Sequence, residues 1–175
     1  MAISLYDVSV LSMRQVVGAA LNVLDKGLAF AHETGLDPAE LVETRLAHDM
    51  FPLSFQIRSI AHHSFGAIQG ARAGVFGPPQ PVEARTYEEL VQLVRDAKAG
   101  LDALSADEVN ALEGKPVIFA LGDFKMPFVA EGFLMSFSLP NLYFHAATSY
   151  DILRMKGVKL GKRDFMGQPR LTQIP

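Results

Sequence analysis

Four times along this chain, apolar residues recur at intervals of three and four over a long stretch, and a stripe of that period has to be buried against others like it. The first stripe runs from about Leu5 to His32 and carries Met13, Val17, Leu21, Leu24, Leu28 and Ala31. Gly35 is placed to end that helix. Asp37 and Pro38 then supply a cap and a proline at the first helical position, opening a short helix through Glu43. The second spans about Pro52 to Ala73, with Leu53, Ile57, Ile60, Ser64, Ile68 and Ala71 on one face, and it stops in the proline- and glycine-rich run Gly74 to Pro81. The third opens at Thr86, where Glu89 completes a capping-box pattern, and continues through Leu90, Val94, Ala97, Leu101 and Leu104. Ser105 and Glu108 repeat that capping pattern, so a break at Ser105 and a further helical turn to about Leu112 are expected. The fourth spans about Ala130 to Met155, with a kink predicted at Pro140 because proline removes a donor and crowds the preceding turn.

Between the third and fourth stripes the period changes to two. Val117, Phe119 and Leu121 alternate before Gly122 and Asp123, and Phe124, Met126 and Phe128 after them, which predicts a small hairpin. Pro127 confines its second arm to an edge, and two strands alone need a bundle to lie against. The expected architecture is therefore all-α: an up-down four-helix bundle with one small β-hairpin between the third and fourth long helices, in a single domain over residues 1–175. From Val158 onward the charges scatter, and the tail reads as an extended strap or a frayed end.

Composition narrows the function classes. There is no cysteine, so disulfides, thiolate metal sites and cysteine nucleophiles are excluded. The 16 basic and 19 acidic residues form no basic stripe, so nucleic acid is not an expected partner. Gly132 to Tyr150 holds no Asp, Glu, Lys or Arg, yet Ser136, Ser138, Asn141, His145, Thr148 and Ser149 make it too polar for lipid, and a central helix is expected in place of a membrane span. The N-terminus has no basic region before its apolar residues and carries Asp7, so no secretion signal is read and the cytoplasm is the expected compartment. No HExxH, phosphate-binding glycine loop or GxSxG elbow occurs.

The polar candidates are few. Asp49, Gln56 and His63 are spaced by seven, which stacks them along one side if the second helix begins at or before Asp49. His145 falls in the stripe of Leu134, Asn141, Thr148 and Ile152 on the fourth. If the two faces meet, His145 and Asp49 share a buried polar site between helices; the competing reading is a structural histidine bonded to a carboxylate or carbonyl. His62 and His63 are adjacent and point about 100° apart on a helix, so they are not read as a chelating pair. Arg154, Lys156, Lys159, Lys162 and Arg163 form a basic cluster that either receives a phosphate or carboxylate ligand or is a solvated surface.

The run Arg45 to Leu53 (RLAHDMFPL) with Phe55 and Gln56, the run Asn141 to Arg154 (NLYFHAATSYDILR), and Gly157 with Leu160 to Gly167 (LGKRDFMG) resemble a bacterial domain-of-unknown-function family grouped with the DinB/YfiT-like four-helix bundles. The resemblance spans most of the chain. It implies a superfamily of metalloenzymes holding a divalent metal on three histidines, one from the second helix and two spaced HxxxH on the fourth, some of which transfer low-molecular-weight thiols and many of which dimerise. His145 matches the first fourth-helix position, the residue four later is Ser149, and His48 or Asp49 stands near the second-helix position. The inter-helix site is thus drawn on His48, Asp49, Gln56 and His145, with His48, Asp49 and His145 as the metal candidates. Three functions are expected to compete: a metal-free bundle binding a small molecule or partner, a metal-dependent enzyme of thiol-transferase or hydrolase type using His145 and Asp49, and a structural homodimer module.

Overall fold

The computed structural model describes residues 3–80 and 85–172. Pro81 of the expected loop and residues 173–175 of the expected tail lie outside the described residues.

The first stripe forms two helices. Ser4 and Asp7 make a capping box for α1 (Leu5–Val8). The chain then steps at Ser9, whose buried hydroxyl donates to Leu5 O at 2.6 Å, before α2 (Val10–Thr34). Gly35 closes α2 in the left-handed conformation at φ 70°, with its N–H on Ala31 O, as expected of a glycine there. Asp37 caps α3 (Pro38–Val42).

The second stripe is an interrupted helix: α4 (Leu53–Ala61), a π-helical turn over His62–Gly66, and α5 (Ala67–Ala73). Thr86 and Glu89 form the predicted capping box of α6 (Tyr87–Asp102), and Ser105 and Glu108 that of α7 (Ala106–Asn110). The fourth stripe comprises α8 (Ala130–Gly132), a π-helical turn over Phe133–Ser138, and α9 (Leu139–Met155). The predicted mid-helix disturbance at Pro140 takes the form of a π-helical turn just before it. Pro140 sits in the first turn of α9, directly after a widened turn, and the wider turn absorbs the missing donor and the crowding of its ring.

The long helices close a ring. α2 packs on α6 and α9, and α4 packs on the same two, so helices consecutive in sequence, α2 with α4 and α6 with α9, lie across the diagonals. Diagonal partners need long connections, which are the α3 segment and the segment carrying α7 and the sheet. Met13, Val17, Leu24, Ile57, Ile60 and Leu101 are among the residues buried along the shared axis. Each such aliphatic side chain contributes about 1.5–3 kcal/mol of burial.

The predicted hairpin is present as β2 (Pro116–Leu121) and β3 (Phe124–Val129), paired antiparallel with Val117 opposite Phe128, and β3 with its Pro127 is an edge. A third strand was not expected: β1 (Val75–Phe76), inside the predicted loop, runs parallel to β2 and makes the order β1-β2-β3. Gly70 allows it, since a Cβ there would lie 2.6 Å from Phe76 Cδ2.

The tail is corrected in part. Its irregular stretches pack on the bundle as a strap would, but residues 162–166 fold as α10 (Lys162–Met166) against α2, because Asp164 accepts from Gly161 N and from Lys26 Nζ at 2.6 Å. Gly167, at φ 62°, lets the chain approach α2 so closely that a Cβ would stand 3.0 Å from Ala19 Cβ. No helix among the described residues is long and apolar enough to cross a membrane.

Candidate functional site

Where α4 meets α9, two of the predicted polar residues converge. Gln56 Nε2 donates to Phe51 O at 2.9 Å, which turns its Oε1 toward His145 Nδ1 at 2.7 Å. A carbonyl oxygen only accepts, so His145 Nδ1 carries the proton and Nε2 keeps a bare lone pair. Ser149, one turn on, donates its hydroxyl to His145 O at 2.8 Å and presents no ligand to the same space.

His48 and Asp49 are not part of this arrangement. Both are exposed in the turn before α4, and among the described residues neither hydrogen bonds with His145 or Gln56. The seven-residue stack required helix at or before Asp49, but Pro52 is the N-cap of α4 and holds the residue before it out of the helical region. The inter-helix site drawn on four residues therefore reduces to Gln56 and His145, and the pairing of His145 with Asp49 falls.

In its place stands a residue left out of that set. The His63 ring lies nearly parallel to His145, with centroids 5.7 Å apart and planes at 17°. His63 is buried and its Nδ1 has no partner; Ser59 Oγ, one turn before it, and Ser138 Oγ, at the end of the facing π turn, are likewise unpaired among the described residues. An unpaired buried polar atom costs about 1–3 kcal/mol. The spacing of seven from Gln56 was the available signal. The π turn, which inserts extra backbone and re-aims the side chains after Ala61, was not readable from periodicity.

His62 extends the row. Its ring stands edge-on to His63 at 5.2 Å and stacks on Phe76 at 4.3 Å, while Nε2 donates to Gly77 O at 2.8 Å. Phe55, Phe76, Phe137 and Phe144 wall the row of imidazoles. Burial in these apolar walls pushes the His63 pKa down to about 3, with the His62 and His145 rings adding to it. His145 falls to about 4, chiefly through burial and then His62, and His62 is lowered mainly by burial. All three rings are neutral at pH 7, with the Arg58 guanidinium also disfavouring charge on His62, and the site offers hydrogen-bond acceptors.

The donor set does not fit a resident divalent metal. A tight site takes three or more protein ligands, and among the described residues no three His, Cys, Asp or Glu side chains are grouped to hold an ion.

A closed ring of four long helices with a three-stranded sheet drawn from two of its connections and an imidazole row between the second and fourth helices defines a DinB-like bundle. A crystal structure of a DinB family member protein from Shewanella denitrificans has the same fold, with a TM-score of 0.80 and 25% identity over 97% of this chain and 96% of that one. Residues 5–166 match the model of the domain of unknown function DUF1993, and the chain belongs to that family. No curated protein matches the chain.

Proposed function

We propose that this chain is a DinB-like bundle that works without a resident metal ion, as a binding module built around His145. The supporting observation is the donor set: two neutral imidazoles, His63 and His145, meet, the neighbouring His62 is bonded to Gly77 O, the position one turn beyond His145 is a serine already bonded to the backbone, and among the described residues no three metal-binding side chains are grouped. Such a niche suits a small uncharged group that donates hydrogen bonds to the bare imidazole nitrogens and stacks on Phe55 or Phe144. The test is elemental analysis of the purified, untagged protein with and without added zinc, nickel and manganese, beside His145→Ala. Trace metal in both is the expected result. Near-stoichiometric metal lost in the variant would overturn the reading and restore the metal-dependent thiol-transferase or hydrolase.

A second reading has its own observation. The run Gly132 to Tyr150 carries no charged residue, yet Met135, Tyr143 and Phe144 on it are exposed, as is Phe51, which stacks on Phe55 beside His145. A twofold contact places a patch against its own copy, where like charges would repel, so an uncharged aromatic face suits a homodimer. Sedimentation at micromolar concentration decides it, and a monomer there removes this reading.

A further inference from the structure

A cleft of about 670 Å³ lies between α2, α6 and the C-terminal segment and shares no lining residue with the imidazole row. Four cations line it: Arg14 and Lys98 from the bundle, Arg163 and Arg170 from the C-terminal segment. The carboxylate that also lines it, Asp164, is taken by Lys26 Nζ at 2.6 Å and by Asn22 Nδ2 at 3.1 Å. Arg14 and Lys98 share Asp102 as counter-ion, and Arg14 is held in place by Leu101 O, to which Nη2 donates at 2.7 Å. Arg170 donates to Asp7 O at 3.1 Å, and the Arg163 side chain has no hydrogen bond or ion pair among the described residues. In a chain of net charge −3 this cleft reverses the sign locally, and a concave cationic wall concentrates anions.

The second observation concerns its floor. Gly18 sits mid-helix in α2, where glycine is costly relative to alanine. Two other helical glycines are explained by the protein itself: a Cβ at Gly27 would strike Tyr87 Oη, and one at Gly100 would come within 2.7 Å of the Phe65 ring. A Cβ at Gly18 would meet only Lys98 Cε, at an ordinary 3.8 Å. Among the described residues no atom crowds a Cβ there, and Gly18 lines the cleft, so its missing side chain leaves the floor open.

We propose that this cleft binds a small organic polyanion, its carboxylate or phosphate groups held by Arg163 and Arg170, with Arg14 and Lys98 adding positive charge to the wall, and its body resting over Gly18 and Leu11. Isothermal titration at constant ionic strength, with citrate and inorganic pyrophosphate as separate probes, tests it. At least one probe binds with a Kd below about 1 mM, Arg163→Gln weakens it about tenfold, and Gly18→Leu abolishes it while the fold melts no earlier than the parent. Binding of citrate alone assigns a polycarboxylate, and of pyrophosphate alone a phosphate ester. Failure of both probes at about 10 mM, or binding that neither variant changes, overturns the proposal. Should Gly18→Leu not fold, the exposed Arg163→Gln still decides.

Discussion

Gly27 and Tyr87 are two halves of one contact. The Tyr87 hydroxyl, buried between helices, donates to Leu24 O at 2.9 Å, and burial raises its pKa well above the ordinary tyrosine value. That hydroxyl fits only because Gly27 has no side chain; a Cβ would strike Tyr87 Oη and press on both Leu153 methyls at 3.1 Å. Gly27→Ala is therefore expected to destabilise by about 1–3 kcal/mol in urea unfolding, despite the gain in helix propensity. Tyr87→Phe alone costs about 1 kcal/mol, and combining the two recovers part of the Gly27→Ala loss. Strict additivity would show that the contact is not shared. The histidines act at the same scale. His63 and His145 titrate near 6.5 when unfolded and at about 3 and 4 when folded, so as pH falls the unfolded chain takes up protons first. Their contribution to stability is constant above about pH 7, declines as pH falls from 6.5 toward 3, and regains nothing below. His63→Gln should flatten this decline in urea midpoints measured across that window; an unchanged slope would mean that His63 is not held neutral.

At the scale of elements, the two π-helical turns and α10 carry the consequences. A π turn adds backbone to one side of a helix and re-aims whatever follows. Here the turns over His62–Gly66 and Phe133–Ser138 interrupt the two helices that contribute the imidazole row. The short helix α10 cannot hold itself together by propensity and depends on Asp164, whose pKa falls to about 2 mainly through Lys26 and then through the Gly161 N–H. Its contribution is present above the ordinary carboxylate value of 3.8 and is lost as pH falls from there through 2. Asp164→Asn should release α10 without unfolding the bundle: amide exchange at Lys162–Met166 accelerates at least tenfold at pH 7 while α2 and α6 keep their protection. Equal acceleration throughout would show that α10 is part of the global cooperative unit.

For the whole molecule, the ring of helices leaves Phe51, Tyr143 and Phe144 exposed, and their fate separates a monomeric binding module from a homodimer. A stable twofold contact buries roughly 800 Å² on each copy. Phe144→Asp puts a carboxylate beside these aromatics, so it should shift any dimer to monomer by at least tenfold in dissociation constant.

Legibility followed the range of the interactions. The helices, their caps at Asp37, Thr86 and Ser105, the stop at Gly35 and the hairpin were readable from the sequence because each depends on neighbours within a few residues. The two-residue strand β1 was not, since its partner β2 is remote in sequence and Gly70 gave no local sign of the aromatic it accommodates. In the site, Gln56 and His145 could be singled out by their place on apolar stripes, whereas Asp49 was carried onto a helix that Pro52 does not let begin so early. By itself the sequence determined the helical class, most element ends and the absence of a cysteine thiol in the protein. Only the tertiary structure decided which helices are neighbours, that His63 and not Asp49 stands beside His145, and that the tail folds back on α2, because helix rotation, diagonal placement and docking are set by contacts between residues far apart in the chain.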